Sequence, residues 1–197
     1  MDMYTVLGLV SGILQVISAV PYFRSILRRE TEPNIVSQSL WSVLSVIAII
    51  AQLQSGWSWS VLILMMVTFN TIVFTILCLK GYGYTEYGWI DYFCFFAATL
   101  ALVVWGLTHE PLWALVIAMG TSALASIPTI VKVVKYPDTE NATAWLIMSV
   151  ASILSILSVS DRNLNNLVAP VQYFLESSII GWIALLGSFT LFKKKES

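Results

Sequence analysis

Charge is scarce in this sequence: 11% of its residues are Asp, Glu, Lys or Arg against 58% hydrophobic, and the mean hydropathy is +0.83. Soluble domains carry roughly 25% charged residues, so an ordinary water-soluble globule is excluded. Cysteine is nearly absent too. Cys78 and Cys94 both stand in apolar runs, which argues against a disulfide framework or a metal site and for small packing residues. The one histidine, His109, lies beside Glu110 and Pro111 in a short polar stretch, and Asp91 has no carboxylate partner in a comparable setting. With neither a Ser-His pair nor a two-Asp constellation, no enzyme activity, catalytic residue, metal or cofactor is expected. A nucleotide-binding loop is missing, which excludes ATP-driven pumping by this chain. The last apolar run holds no lysine before Lys193, so a retinal Schiff base has no attachment point. A net charge of −1 gives no reason to expect nucleic acid as a partner.

What the sequence has is long apolar runs. A hydrocarbon layer of about 30 Å needs about 20 apolar residues in a helix. Seven stretches suffice: Tyr4–Leu27, Ile35–Leu53, Trp57–Leu79, Tyr87–Leu107, Leu112–Val134, Thr143–Val159 and Leu167–Phe192. They are continuous rather than alternating, which favours helices over barrel strands. The predicted fold is an all-α membrane protein with seven transmembrane helices, a multi-pass partner of the lipid bilayer. Asp2 stands where a signal peptide would carry bases, so the first span is expected to belong to the fold.

The bases orient it. With the N-terminus outside, Arg24, Arg28, Arg29, Lys80, Lys132, Lys135, Lys193, Lys194 and Lys195 fall on the cytoplasmic side and only Arg162 on the other. That distribution predicts an N-outside, C-inside topology. It also puts the glycosylation-like Asn141-Ala-Thr143 on the cytoplasmic side, out of reach of glycosylation. The paired residues Asp91 and Lys80 are expected at that boundary, solvated or bridged.

The first third of the chain recurs. Pro21, Asn34 and Ser42-Val43-x-Ser45 reappear 107 positions later, without a gap, as Pro128, Asn141 and Ser149-Val150-x-Ser152, with Arg28 and Lys135 in register. Spans 1–3 and 5–7 are then two copies, with span 4 between them. Three spans would invert the second copy; the extra crossing restores it, so the repeats run parallel about an axis along the membrane normal. The divisions fall at residues 1–80, 81–110 and 111–197.

This arrangement, with Val20-Pro21-Tyr22, Thr31-Glu32-Pro33-Asn34 and Trp41 in one copy and Ile127-Pro128-Thr129, Thr139-Glu140-Asn141 and Trp145 in the other, resembles the SWEET and PQ-loop transporter superfamily. The glutamine that names the PQ loop is replaced by Tyr22 and Thr129, and the second span of each copy lacks the proline of sugar-transporting members. The resemblance implies an alternating-access carrier without ATP, moving a small polar solute; in a prokaryote it would sit in the inner membrane. A receptor or sorting protein of the same architecture, or a non-transporting scaffold, is the alternative. Two repeats can enclose a complete path, which permits a functional monomer and leaves oligomers open.

Glu176 is the sharpest residue, because a carboxylate at the membrane centre costs about 2.5–3.5 kcal/mol or more. It must be offset by a partner, water, protonation or function, and a buried acid that takes up a proton suits proton coupling. The resemblance implies an asparagine on the third helix of each repeat against the substrate. That suggests Asn70 opposite Glu176, with Ser177 as the alternative match. Gln15, Gln172, Ser45 and Ser152 can complete a polar lining, or serve helix packing. Pro21 and Pro128 are candidate hinges. Trp41 and Trp145 are candidate gates, or belong with Trp57, Trp59, Trp89, Trp105 and Trp113 to an interfacial belt.

Overall fold

The computed structural model describes residues 2–84, 88–108 and 111–195, and within its helices not every side chain of 90–114 and none from 189 onward. His109, Glu110 and Tyr87, and the side chains of Cys94, Trp105, Lys193, Lys194 and Lys195, lie outside the described residues. The remainder is all-helical, without a strand among the described residues.

Helix α1 (Met3–Leu27) starts at Asp2, whose Oδ1 accepts from the Thr5 N–H at 2.7 Å. Next come α2 (Ile35–Gln54) and α3 (Val61–Leu77). The latter runs into a π-turn, Cys78–Tyr82, which Gly81 ends at φ +86°, a left-handed conformation that glycine adopts without penalty. Then follow α4 (Trp89–Thr108), α5 (Pro111–Ala125), α6 (Ile127–Lys135), α7 (Ala142–Leu157) and α8 (Leu164–Lys195), with a 3-10 turn at Pro137–Thr139 before α7. Five helical stretches among the described residues are long and apolar enough to cross a membrane, counting α5 and α6 as one. Their outward faces are apolar: Ile13, Phe69, Leu175 and Trp182 are each more than half exposed, a surface suited to lipid.

The fifth expected span is one stretch in sequence but two helices in structure, parted at Ser126. Pro128 cannot donate a backbone hydrogen bond and crowds the carbonyl four residues back. Pro21 has the same defect, yet α1 continues through it. The Ser126 hydroxyl turns back onto the Ala123 carbonyl at 2.7 Å, as Ser18 does onto the Gln15 carbonyl at 2.7 Å within the unbroken α1. Backbone bonds from the Ser126 N–H to the Ser122 carbonyl at 3.1 Å and from the Ile130 N–H to the Ser126 carbonyl at 2.9 Å span the junction, so α5 and α6 remain in line across it.

The helices form a ring. In order around it, α1 packs on α3, α3 on α2, α2 on α5, α5 on α8, α8 on α7, and α7 closes onto α1, while α4 lies against α5. At the α1–α7 seam Ser11 donates to the Ala151 carbonyl at 2.8 Å; at the α2–α5 seam the Trp41 indole donates to the Ser122 carbonyl at 3.1 Å. Gly8 lets α1 approach the turn before α3: a Cβ there would lie 2.6 Å from the Cβ of Trp59.

The recurring residues do corresponding work. Asn34 and Asn141 both cap a helix, accepting from Ser37 N–H at 3.1 Å and Ala144 N–H at 3.0 Å. Ser42 reaches Thr75 on α3 at 3.1 Å, and Ser149 reaches Ser178 on α8 at 2.7 Å. One difference is large. Asn34 also donates to Asp91 Oδ1 at 2.9 Å, and the other oxygen of Asp91 accepts from Gly88 N–H at 2.8 Å. Asp91 is therefore buried and fastens α4 to the start of α2, in place of the solvated or Lys80-bridged role expected from sequence; Lys80 is exposed. Asn141 donates instead to the Pro21 carbonyl at 3.4 Å.

Candidate functional site

Inside the ring is a cavity of about 60 Å³, lined from α1, α2, α3, α7 and α8. A water needs about 10–15 Å³ by this measure, so the space suits on the order of four waters or an equally small solute. The lining follows helical stripes. On α3 it is Val67, Asn70, Thr71 and Phe74, one face of a helix at 3.6 residues per turn. The same three-residue step recurs as Gln38 and Trp41 on α2, Trp145 and Met148 on α7, and Tyr173 and Glu176 on α8. Gln38 with Trp41 and Trp145 with Met148 keep the 107-residue offset of the repeat. Val67 and Asn70 match Tyr173 and Glu176 one residue short of it, which pairs Asn70 with Glu176 rather than with Ser177.

Asn70, Glu176, Gln15, Trp41 and Trp145 thus meet at one cavity. Gln172 stands behind it, donating to Glu176 Oε2 at 2.6 Å and toward Ser122 Oγ at 3.4 Å. The three serines are turned to their own helices: Ser177 donates to the Tyr173 carbonyl at 2.5 Å, Ser45 to the Ser42 carbonyl at 3.2 Å and Ser152 to the Met148 carbonyl at 2.9 Å. None of them lines the cavity, and neither do Pro21 and Pro128. Asn70 spends an amide N–H on the Gln15 carbonyl at 3.2 Å, tying α3 to α1.

An aromatic layer bounds the cavity. Tyr22 packs 4.8 Å from Phe74 and 6.0 Å from Trp145, and Trp145 packs 6.1 Å from Trp41, all as ring-centroid distances with tilted or edge-on rings. The polar ends of two rings leave the cavity for Glu140: the Tyr22 hydroxyl donates to Oε2 at 3.0 Å and the Trp145 indole to the same oxygen at 2.9 Å. Glu140 Oε1 meets Lys132 Nζ at 2.6 Å in a fully buried ion pair. Lys132 also donates to the carbonyls of Glu32 and Thr139 and lies 5.8 Å from the centre of the Tyr84 ring. The ammonium is saturated by these partners, which is what a charge taken out of water requires.

The chain matches no protein-family model, no curated protein and no solved structure. The site is therefore read from its own chemistry.

Sequence reading missed Tyr22, Gln38 and Tyr173 as lining residues, and the Lys132–Glu140 pair altogether. Gln38 had a usable signal, being a polar residue in an apolar span at the repeat position of Trp145. Lys132 had a misleading one. A base near a span end reads as a topology marker, and only the fold shows its partner eight residues on.

Proposed function

We propose that this chain is a secondary carrier, moving a small polar solute across a membrane by alternating exposure of the cavity between Asn70 and Glu176. On this reading it spans the membrane seven times as two parallel three-helix repeats, α1–α3 and α5–α8 with α5 and α6 as one span, joined by α4, with the N-terminus outside. That is the SWEET and PQ-loop arrangement, and in a prokaryote it would place the chain in the inner membrane. The observation that carries the reading is that Asn70 on α3 and Glu176 on α8, at matching positions of the recurrence, line one cavity inside the ring. The aromatic layer of Tyr22, Phe74, Trp41 and Trp145 serves as the inner gate, with the Glu140–Lys132 pair as its anchor. Glu176 is the residue through which protons would couple to transport.

A peptide-carboxylate receptor would need a free base facing the cavity. Lys132 is buried, but it is held by Glu140 and does not line the cavity, so no observation favours that alternative.

The test is solute-dependent thermal stabilisation of the purified protein across sugars, amino acids, vitamins and nucleosides, at two pH values. A ligand at a hundredfold excess over its Kd stabilises the folded state by about 2.7 kcal/mol. A solute that stabilises the wild type and not Glu176→Gln supports the reading, and its uptake into proteoliposomes completes it. Ligands that bind without ever crossing the bilayer would replace the carrier with a receptor.

A further inference from the structure

The cavity is short of donors. The buried oxygens Gln15 Oε1, Gln38 Oε1 and Glu176 Oε1 have no hydrogen-bond partner among the described residues, and all three belong to residues that line it. Buried polar atoms in folded proteins are nearly all partnered, and three of the seven side-chain atoms without a partner among the described residues gather at this one cavity, which points to what is meant to enter. Acceptors of this kind ask for a donor. The lining includes no Lys, Arg or His. The nearby ammonium of Lys132 is committed to Glu140 behind Tyr22 and Trp145. Around the acceptors stand the rings of Tyr22, Trp41, Phe74, Trp145 and Tyr173, and aromatic faces attract cations electrostatically.

We propose that the transported solute is a small organic cation, an amine carrying its charge on nitrogen, held with its charged end between the orphan acceptors and the aromatic rings. One carboxylate with no cation in the lining, two amide oxygens and an aromatic surround are complementary to an ammonium group, while an anion would face that carboxylate with no base to offset it. A neutral polyol would donate to the same acceptors, but it brings no charge to balance the carboxylate or to be drawn to the ring faces. A bare metal ion would use the oxygens and leave most of the aromatic wall unused. The cavity volume limits the occupant to a handful of non-hydrogen atoms unless the gate opens further.

This inference rests on the carrier reading, and the experiment separates the two. Binding of ethylammonium and choline to the purified full chain is compared with that of their neutral isosteres ethanol and 3,3-dimethylbutan-1-ol, alongside glycerol and glucose, with sodium chloride holding ionic strength constant. The expected result is that each cation binds about tenfold or more tightly than its isostere, consistent with a desolvated cation–π and charge contact. The preference should vanish in Glu176→Gln. Gln38→Leu, which removes one acceptor and no charge, should weaken the cations while keeping them ahead of their isosteres. Equal binding of cation and isostere to the wild type overturns the inference, whatever the variants do. Binding of glycerol or glucose alone overturns it and leaves the carrier standing. Binding of none of the six removes the inference and the midplane site together.

Discussion

Tyr22 and Trp145 share one acceptor: a phenol on α1 and an indole on α7 both donate to Oε2 of Glu140, at 3.0 and 2.9 Å. The two rings therefore cannot move independently of that carboxylate. Since Lys132 holds the other oxygen, the aromatic layer is coupled to the loop joining α6 to α7.

Breaking that coupling from one side should be costly. Removing one member of a buried ion pair typically costs about 3–5 kcal/mol, because the other charge is left uncompensated. Lys132→Met and Glu140→Gln should each lower thermal stability strongly. The double variant Lys132→Met/Glu140→Gln should lose less than the sum, as groups in direct contact do. Additive losses would mean the pair contributes nothing as a pair.

Tyr22→Phe keeps the ring and deletes the donor. A hydrogen bond to a charged group is worth about 1.5–3 kcal/mol, so a loss within that range is expected in unfolding experiments. Trp145→Phe should cost more, since it also shrinks a ring packed against both Tyr22 and Trp41.

The two capping asparagines should not be equivalent. Loss of an N-cap costs about 1 kcal/mol, which is the expectation for Asn141→Ala. Asn34→Ala also strips the donor from the buried Asp91, so its loss should exceed that of Asn141→Ala by about 1 kcal/mol or more. Equal losses would show that the Asn34–Asp91 contact carries no stability.

Gly8→Ala places a Cβ 2.6 Å from that of Trp59, where neither backbone can yield without shifting α1 against α3. Overpacking of this kind costs about 1–3 kcal/mol. Gly120→Ala, on an open face with nothing near its added Cβ, should be neutral or stabilising in the same assay.

The orientation can be read with single cysteines in a variant whose Cys78 and Cys94 are replaced by serine. Under the proposed topology, cysteines at Arg29 and Arg162 should react with a membrane-impermeant reagent from opposite faces of a sealed vesicle. Labelling from the same face would overturn it.

The sequence made the apolar helices plain, because their lengths and continuity follow directly from the hydrocarbon thickness they would cross. It also disclosed the recurrence, and the structure gives Asn34 and Asn141, and Ser42 and Ser149, corresponding jobs. Glu176 stood out by its cost in an apolar setting. Less visible was anything that depends on two distant segments meeting. Asp91 looked like a boundary charge because its partner, Asn34, lies far back in the chain. Lys132 looked like a topology marker because Glu140, only eight residues on, meets it only where the turn after α6 folds back on the helix. The serines at 45, 152 and 177 looked like lining because hydropathy does not reveal which carbonyl a hydroxyl has chosen.

The broken fifth span has a mechanical meaning. α1 is a continuous rod through Pro21, while its counterpart is jointed at Ser126. Helices related by sequence thus differ in continuity, and under the proposed carrier reading the junction at Ser126 is where the second half can bend while α1 moves as a single rod.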